Sequence, residues 1–170
     1  MTTGGRDRDP AGRPRNARAR DALGRPLPRG ETGETPVPDD LSLPPGEALA
    51  LAQRLLDSGR PFQAHEVLEA SWKAAPAAER DLWQGLAQVA VGLTHAQRGN
   101  ARGAAALLRR GAGRLNGYLP GGEDSNGGPH GIGVPEVAGA ADELAARIER
   151  NGLTGVTPAD LKLRLLAPTS

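Results

Sequence analysis

The sequence contains no cysteine and only four aromatic residues, Phe62, Trp72, Trp83 and Tyr118. The first absence excludes disulfides and thiolate metal sites, and suits a reducing compartment such as the cytoplasm. The second limits where a heavy core can form, since three of the four fall between positions 62 and 83. No apolar run approaches the roughly 20 residues that a membrane helix needs, and the N-terminus lacks the apolar stretch of a secretion signal. No membrane contact is therefore expected. Glycine (24) and proline (15) are abundant, and 12 of the glycines and 8 of the prolines fall in the first 40 residues and the loop PGGEDSNGGPHGIG, which marks both as irregular.

Charge is divided unevenly. Residues 1–30 hold eight Arg and three Asp, which is +5; the whole chain is +1, so the rest is −4. Residues 1–40 read as an irregular basic arm, with few apolar residues and no lasting helical stripe. Three roles compete for its arginines. They are a solvated tail, a strap over the acidic remainder with Leu23 and Leu27 as weak anchors, or a contact for nucleic acid or another polyanion. Nucleic acid is not favoured, because no aromatic is interleaved for base stacking.

Residues 41–152 read as an all-α, antiparallel bundle of about five helices. A first helix over 45–58 begins at paired prolines and stops at Gly59. The short turn Gly59-Arg60 makes the next helix, 61–75, its antiparallel neighbour. A third, 77–98, is apolar almost all round and should be central. Gly85 and Gly92, seven residues apart, leave a bare strip along it for close approach of another helix. Gly99 ends it and Asn100 is placed to cap a fourth helix over 101–115, with Arg109, Arg110 and Arg114 pointing outward. The fifth covers 135–150. Residues 153–170 form a tail in which Thr157-Pro158 suggests a helix start, while Leu161, Leu163 and Leu165 alternate as a strand would.

One polar cluster stands out. At 3.6 residues per turn, His65, Glu69 and Trp72 share a face of the second helix, with Phe62 and Leu68 beside them and Glu66 at its edge. That face carries the large apolar residues, so it is expected to turn inward, which would oblige Glu69 to find a donor. On the third helix Gln84, Gln88 and His95 fall on one stripe. The simplest assembly sets the two groups opposite each other, giving a candidate ligand-binding set of His65, Glu66, Glu69, Trp72, Gln84, Gln88 and His95.

The runs AHEVLEASW and LWQGLAQVAVGLTHAQRGNARGAAALL resemble the signature of the domain-of-unknown-function family numbered 309. The residues that carry the resemblance are His65, Leu68, Glu69, Trp72, Gln84, Gly85, His95, Arg98, Gly99, Asn100, Gly103 and Ala104, within about 49–115. It implies a small all-α prokaryotic protein and a helical bundle, and implies no activity.

The cluster admits several roles. A satisfied buried network would serve to fix helix register. A pocket between the two helices would take a small polar ligand or a protein partner. His65, Glu69 and His95 supply the donor types of a hydrolytic metal site, although HEVLE departs from the HExxH zinc motif where its second histidine should stand. No particular cofactor is indicated. A metal-free hydrolase would use His65 as general base oriented by Glu69, but Ser71, the nearby hydroxyl, points away from both. A binding or interaction module is the leading expectation and a small hydrolase the alternative. His130, in the loop, reads as solvated unless the loop folds over the site.

Overall fold

The structure, a computed structural model, describes Asp21, Gly24, Arg25, Val37 and residues 41–118 and 128–168. Among these residues the chain forms five α-helices: α1 (Pro45–Asp57), α2 (Pro61–Ala74), α3 (Arg80–Gln97), α4 (Ala101–Gly117) and α5 (Val134–Asn151). Short 3-10 turns occupy Ala77–Glu79, Pro129–Gly131 and Pro158–Leu161. The fold is an all-α bundle in which consecutive helices pack against each other. Leu23 and Leu27 lie outside the described residues.

The two hairpin turns are the same device. Gly59 has φ +73° and Gly99 φ +80°, the left-handed conformation that ends a helix without a Cβ penalty. In the first turn the Gly59 N–H donates to Leu56 O at 3.0 Å and the Arg60 N–H to Leu55 O at 2.8 Å. In the second, Gly99 donates to Ala96 O at 3.1 Å and Asn100 to His95 O at 2.9 Å. These paired bonds satisfy the last carbonyls of each helix and reverse the chain within two residues. Asn100 then accepts from the Gly103 N–H at 3.0 Å and so caps α4, as its position in the sequence suggests.

The third helix is central, as its sequence requires. Leu82, Trp83, Leu86, Val89, Ala90 and Leu93 are all buried. Its glycine strip receives α4. A Cβ on Gly92 would stand 2.8 Å from Leu108 Cγ, and one on Gly111 of the facing helix 2.9 Å from the Gly85 carbonyl oxygen. The two backbones therefore approach at a distance that only glycine permits. On the other side of α4, Arg109 does not simply point into solvent. It reaches α5, with Nε 3.1 Å from Glu149 and Nη1 3.1 Å from Asp142. Arg114 likewise pairs with Asp81 at 2.7 Å.

The tail combines both of its expected characters. Thr157 and Asp160 form a reciprocal capping box at the 3-10 turn. The residues beyond it run extended: Leu166 forms an antiparallel bridge with Ile132, and Leu165 is 1% exposed. Gln53 of α1 fixes this segment by donating to Leu163 O at 3.0 Å and accepting from the Leu165 N–H at 2.8 Å. The arm also touches the bundle. Asp21, Gly24 and Arg25 close a turn, and Gly24 is buried against Phe62 and Arg98.

Candidate functional site

Small residues decide which way α2 faces. Ala64, Val67 and Leu68 are fully buried and Gln63 nearly so, whereas Phe62 and Trp72 are only half-buried. The inward stripe is therefore offset from the His65–Glu69–Trp72 face, which lies at the flank and surface of the helix. The expectation that this face turns into the core is corrected: bulky aromatics suggested the wrong side, and the alanine and valine between them pack closest.

On that flank, His65, Glu69 and Lys73 form a ladder at successive turns. His65 Nε2 is 3.5 Å from Glu69 Oε2, and Lys73 Nζ is 3.4 Å from Glu69 Oε1. Glu69 keeps 37% of its side-chain surface, so water and Lys73 compensate its charge and no buried carboxylate has to be neutralised. His65 is more enclosed, at 22%, with its Nδ1 buried and a backbone hydrogen bond to Phe62 acting on the ring. Burial lowers its pKa below the ordinary 6.5, against the weaker upward pull of the Glu69 charge; Lys73 adds to the lowering. Burial therefore favours the neutral form of the ring. Phe62 packs beside it, ring centroids 5.8 Å apart, and Arg98 of the α3 end lies 5.6 Å above the Phe62 ring.

The α3 residues are engaged elsewhere. Gln88 accepts from Arg114 Nε of α4 at 3.4 Å. His95 turns to the α3–α4 junction, where Asn100 Nδ2 lies 3.1 Å from its Nδ1. Because the Asn100 oxygen is occupied by Gly103, its amide nitrogen donates to His95, which fixes Nδ1 as the unprotonated ring nitrogen. Burial, reinforced by the Arg98 charge, lowers the His95 pKa in agreement with that tautomer. Gln84 is half-buried one turn before Gln88, Glu66 is half-buried at the edge of the α2 face, and Trp72 packs at the rim of the core. His65 and Glu69 are brought together, while Gln88 and His95 belong to the α4 side. The face-to-face arrangement does not form, and no group of three His, Cys, Asp or Glu side chains able to hold a metal ion exists among the described residues.

A second polar constellation escaped the sequence. His130 Nε2 sits 3.0 Å from Glu79 Oε2, to which the Trp83 indole N–H also donates at 3.2 Å. The imidazole tilts over Trp83 with centroids 5.9 Å apart. Burial pushes the Glu79 carboxyl upward, but the bonds from His130 and Trp83 and the His130 charge outweigh it and leave the pKa lowered. His130 has φ +60°, a conformation uncommon for a side-chain-bearing residue, adjoining Gly131 at φ +78°. Pro129 before His130 and Gly131 after it were the available signal. Its partner lies 51 positions earlier, beyond the reach of local pattern.

A cleft of about 260 Å³ lies apart from both groups, between the α1–α2 turn, the end of α3 and the tail. Its polar lining is Gln97, Thr157 and Lys162. Gln97 donates to Gly59 O at 2.7 Å and has a buried, unpartnered Oε1. Ser71 instead lines a shallow crevice with Leu41, Leu43 and Val67, turned away from His65. None of the described helices is long and apolar enough to cross a membrane.

No curated protein and no solved structure matches the chain. Residues 49–107 match the family described as Domain of unknown function (DUF309), a stretch that runs from α1 into α4 and contains the whole His65–Glu69 face.

Proposed function

We propose that the protein is a non-catalytic binding or interaction module whose contact surface is the flank of α2, with His65, Glu69 and Lys73 along it and Phe62 and Trp72 at its edges. The observation that carries this reading is His65, an enclosed imidazole held between the Phe62 ring and the Glu69 carboxylate on the flank of α2. The surrounding face offers both charges and a half-buried indole, a composition suited to a polar peptide or protein surface. We place it in the cytoplasm, which a cysteine-free chain suits.

A photo-crosslinking residue at position 73, exposed and adjoining Glu69, tests this in cells. A discrete partner captured at 73, absent at the exposed control position 164, and reduced at least ten-fold by His65→Ala is the expected result. Identical capture at both positions, or capture indifferent to His65, overturns it.

A small hydrolase is the second reading, favoured by one observation: the His130–Glu79 pair, at 3.0 Å, is closer than His65–Glu69 at 3.5 Å, as suits a general base oriented by a carboxylate. Turnover of ester or phosphoester substrates that disappears in both His130→Gln and Glu79→Gln would establish it in place of the module.

A further inference from the structure

Among the described residues of the N-terminal arm, Asp21, Gly24 and Arg25 meet the bundle in a turn built with unusual specificity. The Asp21 N–H donates to Arg25 O at 3.0 Å, the Gly24 N–H to Asp21 O at 2.9 Å, and the Arg25 N–H to Asp21 Oδ1 at 2.8 Å. Arg25 Nε closes the loop on Asp21 Oδ2 at 3.0 Å. These bonds define a tight turn with Gly24 at φ +75°, where a β-branched residue is strongly disfavoured. Gly24 is buried: a Cβ there would overlap the Phe62 ring and stand 2.7 Å from Arg98 Nη2. The bare backbone of the turn is thus pressed on an aromatic ring that also carries a guanidinium, and the same ring adjoins His65.

The geometry points to a peptide-recognition seat formed by Phe62 and Arg98, one that takes a glycine-containing Asp-x-x-Gly-Arg turn and is filled in cis by the chain's own arm. This rests on the reading of the α2 flank as an interaction surface and gives it a partner chemistry and a control. Substitution at Gly24 is opposed twice, by φ and by the ring, as expected where a backbone is itself the recognised feature. A segment joined to α1 by residues 26–44 reaches its seat intramolecularly, at an effective concentration of roughly millimolar. A partner turn therefore displaces the arm only when it is abundant or gains further contacts along His65 and Glu69. The arm sets a threshold for access to the α2 flank.

The test uses the full-length chain and a fluorescein-labelled synthetic peptide spanning residues 17–29, read by fluorescence anisotropy. Gly24→Val empties the seat. The peptide is expected to bind the Gly24→Val chain at least ten-fold more tightly than the wild type, whose seat is occupied. That binding is expected to fall at least ten-fold when Phe62→Ala or, independently, Arg98→Gln is added to Gly24→Val. The Arg98 variant provides the answer should loss of the half-buried Phe62 disturb folding. Equal affinity for wild type and Gly24→Val, absence of binding to Gly24→Val, or equal binding of a scrambled peptide of the same charge overturns the assignment. Crosslinking at position 73 is read separately, so the seat can fail while the α2 flank keeps its partner.

Discussion

His65 is the residue on which pH acts with a definite sign. Its folded pKa lies below 6.5, chiefly because burial disfavours the charged ring. The unfolded chain therefore takes up a proton more readily than the folded one as pH falls. The stability it contributes is present above 6.5 and is lost as pH drops through the lowered folded value. His95 acts in the same direction through burial and the Arg98 charge. Thermal unfolding followed from pH 7.5 to 5.5 is expected to show a falling midpoint, with a shallower slope in His65→Gln and a shallower one still when His95→Gln is added. An unchanged slope in His65→Gln would show that its ring is solvated. Trp83 and Trp72 make a second contrast at this scale. Trp83 is 1% exposed, so Trp83→Ala should cost about 3–5 kcal/mol in urea titration, whereas the half-buried Trp72 should cost about 1–2 kcal/mol. Sequence pattern treats both as core because residue type reports size and not orientation. The exposure of Trp72 follows from α2 rotating to bury Ala64 and Val67, and that rotation is set by the neighbouring helices.

Among the helices, what was legible is what local chemistry decides. Both reversing turns follow from glycine followed by a residue that can start a helix, and the Asn100 cap follows from its side chain. That some helix would approach α3 closely was also legible, because two glycines in an otherwise helical run have a cost that only packing offsets; that it would be α4 was not. The partner glycine on α4 makes the prediction sharp. Gly111→Ala places a Cβ 2.7 Å from Val89 Cγ2 and 2.9 Å from the Gly85 carbonyl, so the helices must separate. Overpacking of about 1–3 kcal/mol outweighs the roughly 1 kcal/mol gained in helix propensity. Gly113, two residues on, has nothing within 4 Å of the same atom, so Gly113→Ala should raise stability by up to about 1 kcal/mol. Opposite shifts in melting temperature are expected from one chemical change on one helix. What was not legible is the convergence of α2 with α3. Gln88 and His95 lie on a helical stripe whose period was plain, yet whether it meets α2 or α4 depends on the angle at which α3 is rolled. The glycine strip fixes that angle by drawing in α4, and it carries Gln88 to Arg114 and His95 to Asn100.

Across the whole molecule, closure depends on contacts that are distant in sequence. The tail passes from the capped turn at Pro158–Leu161 back to α1 and to the entrance of α5: Gly133 donates to Leu165 O at 3.0 Å and Ala167 to Gly131 O at 2.9 Å. This segment brings the ends of the bundle together around the buried Leu165, and Gln53 is the side chain that holds it from α1. Leu165→Ala should cost about 2–5 kcal/mol through the cavity it opens. Gln53→Ala leaves the Leu165 N–H and the Leu163 carbonyl without their partner and should cost about 1–3 kcal/mol. If the tail docks as a unit, the two losses overlap, because a tail already loosened by Leu165→Ala no longer needs Gln53. A double-mutant cycle should then give a combined cost smaller than the sum by about 0.5–3 kcal/mol, the range for residues in direct contact. Strict additivity would mean that the extended segment stays in place when its leucine is cut back, and that backbone bonds to Gly131 and Gly133 hold it without help from α1.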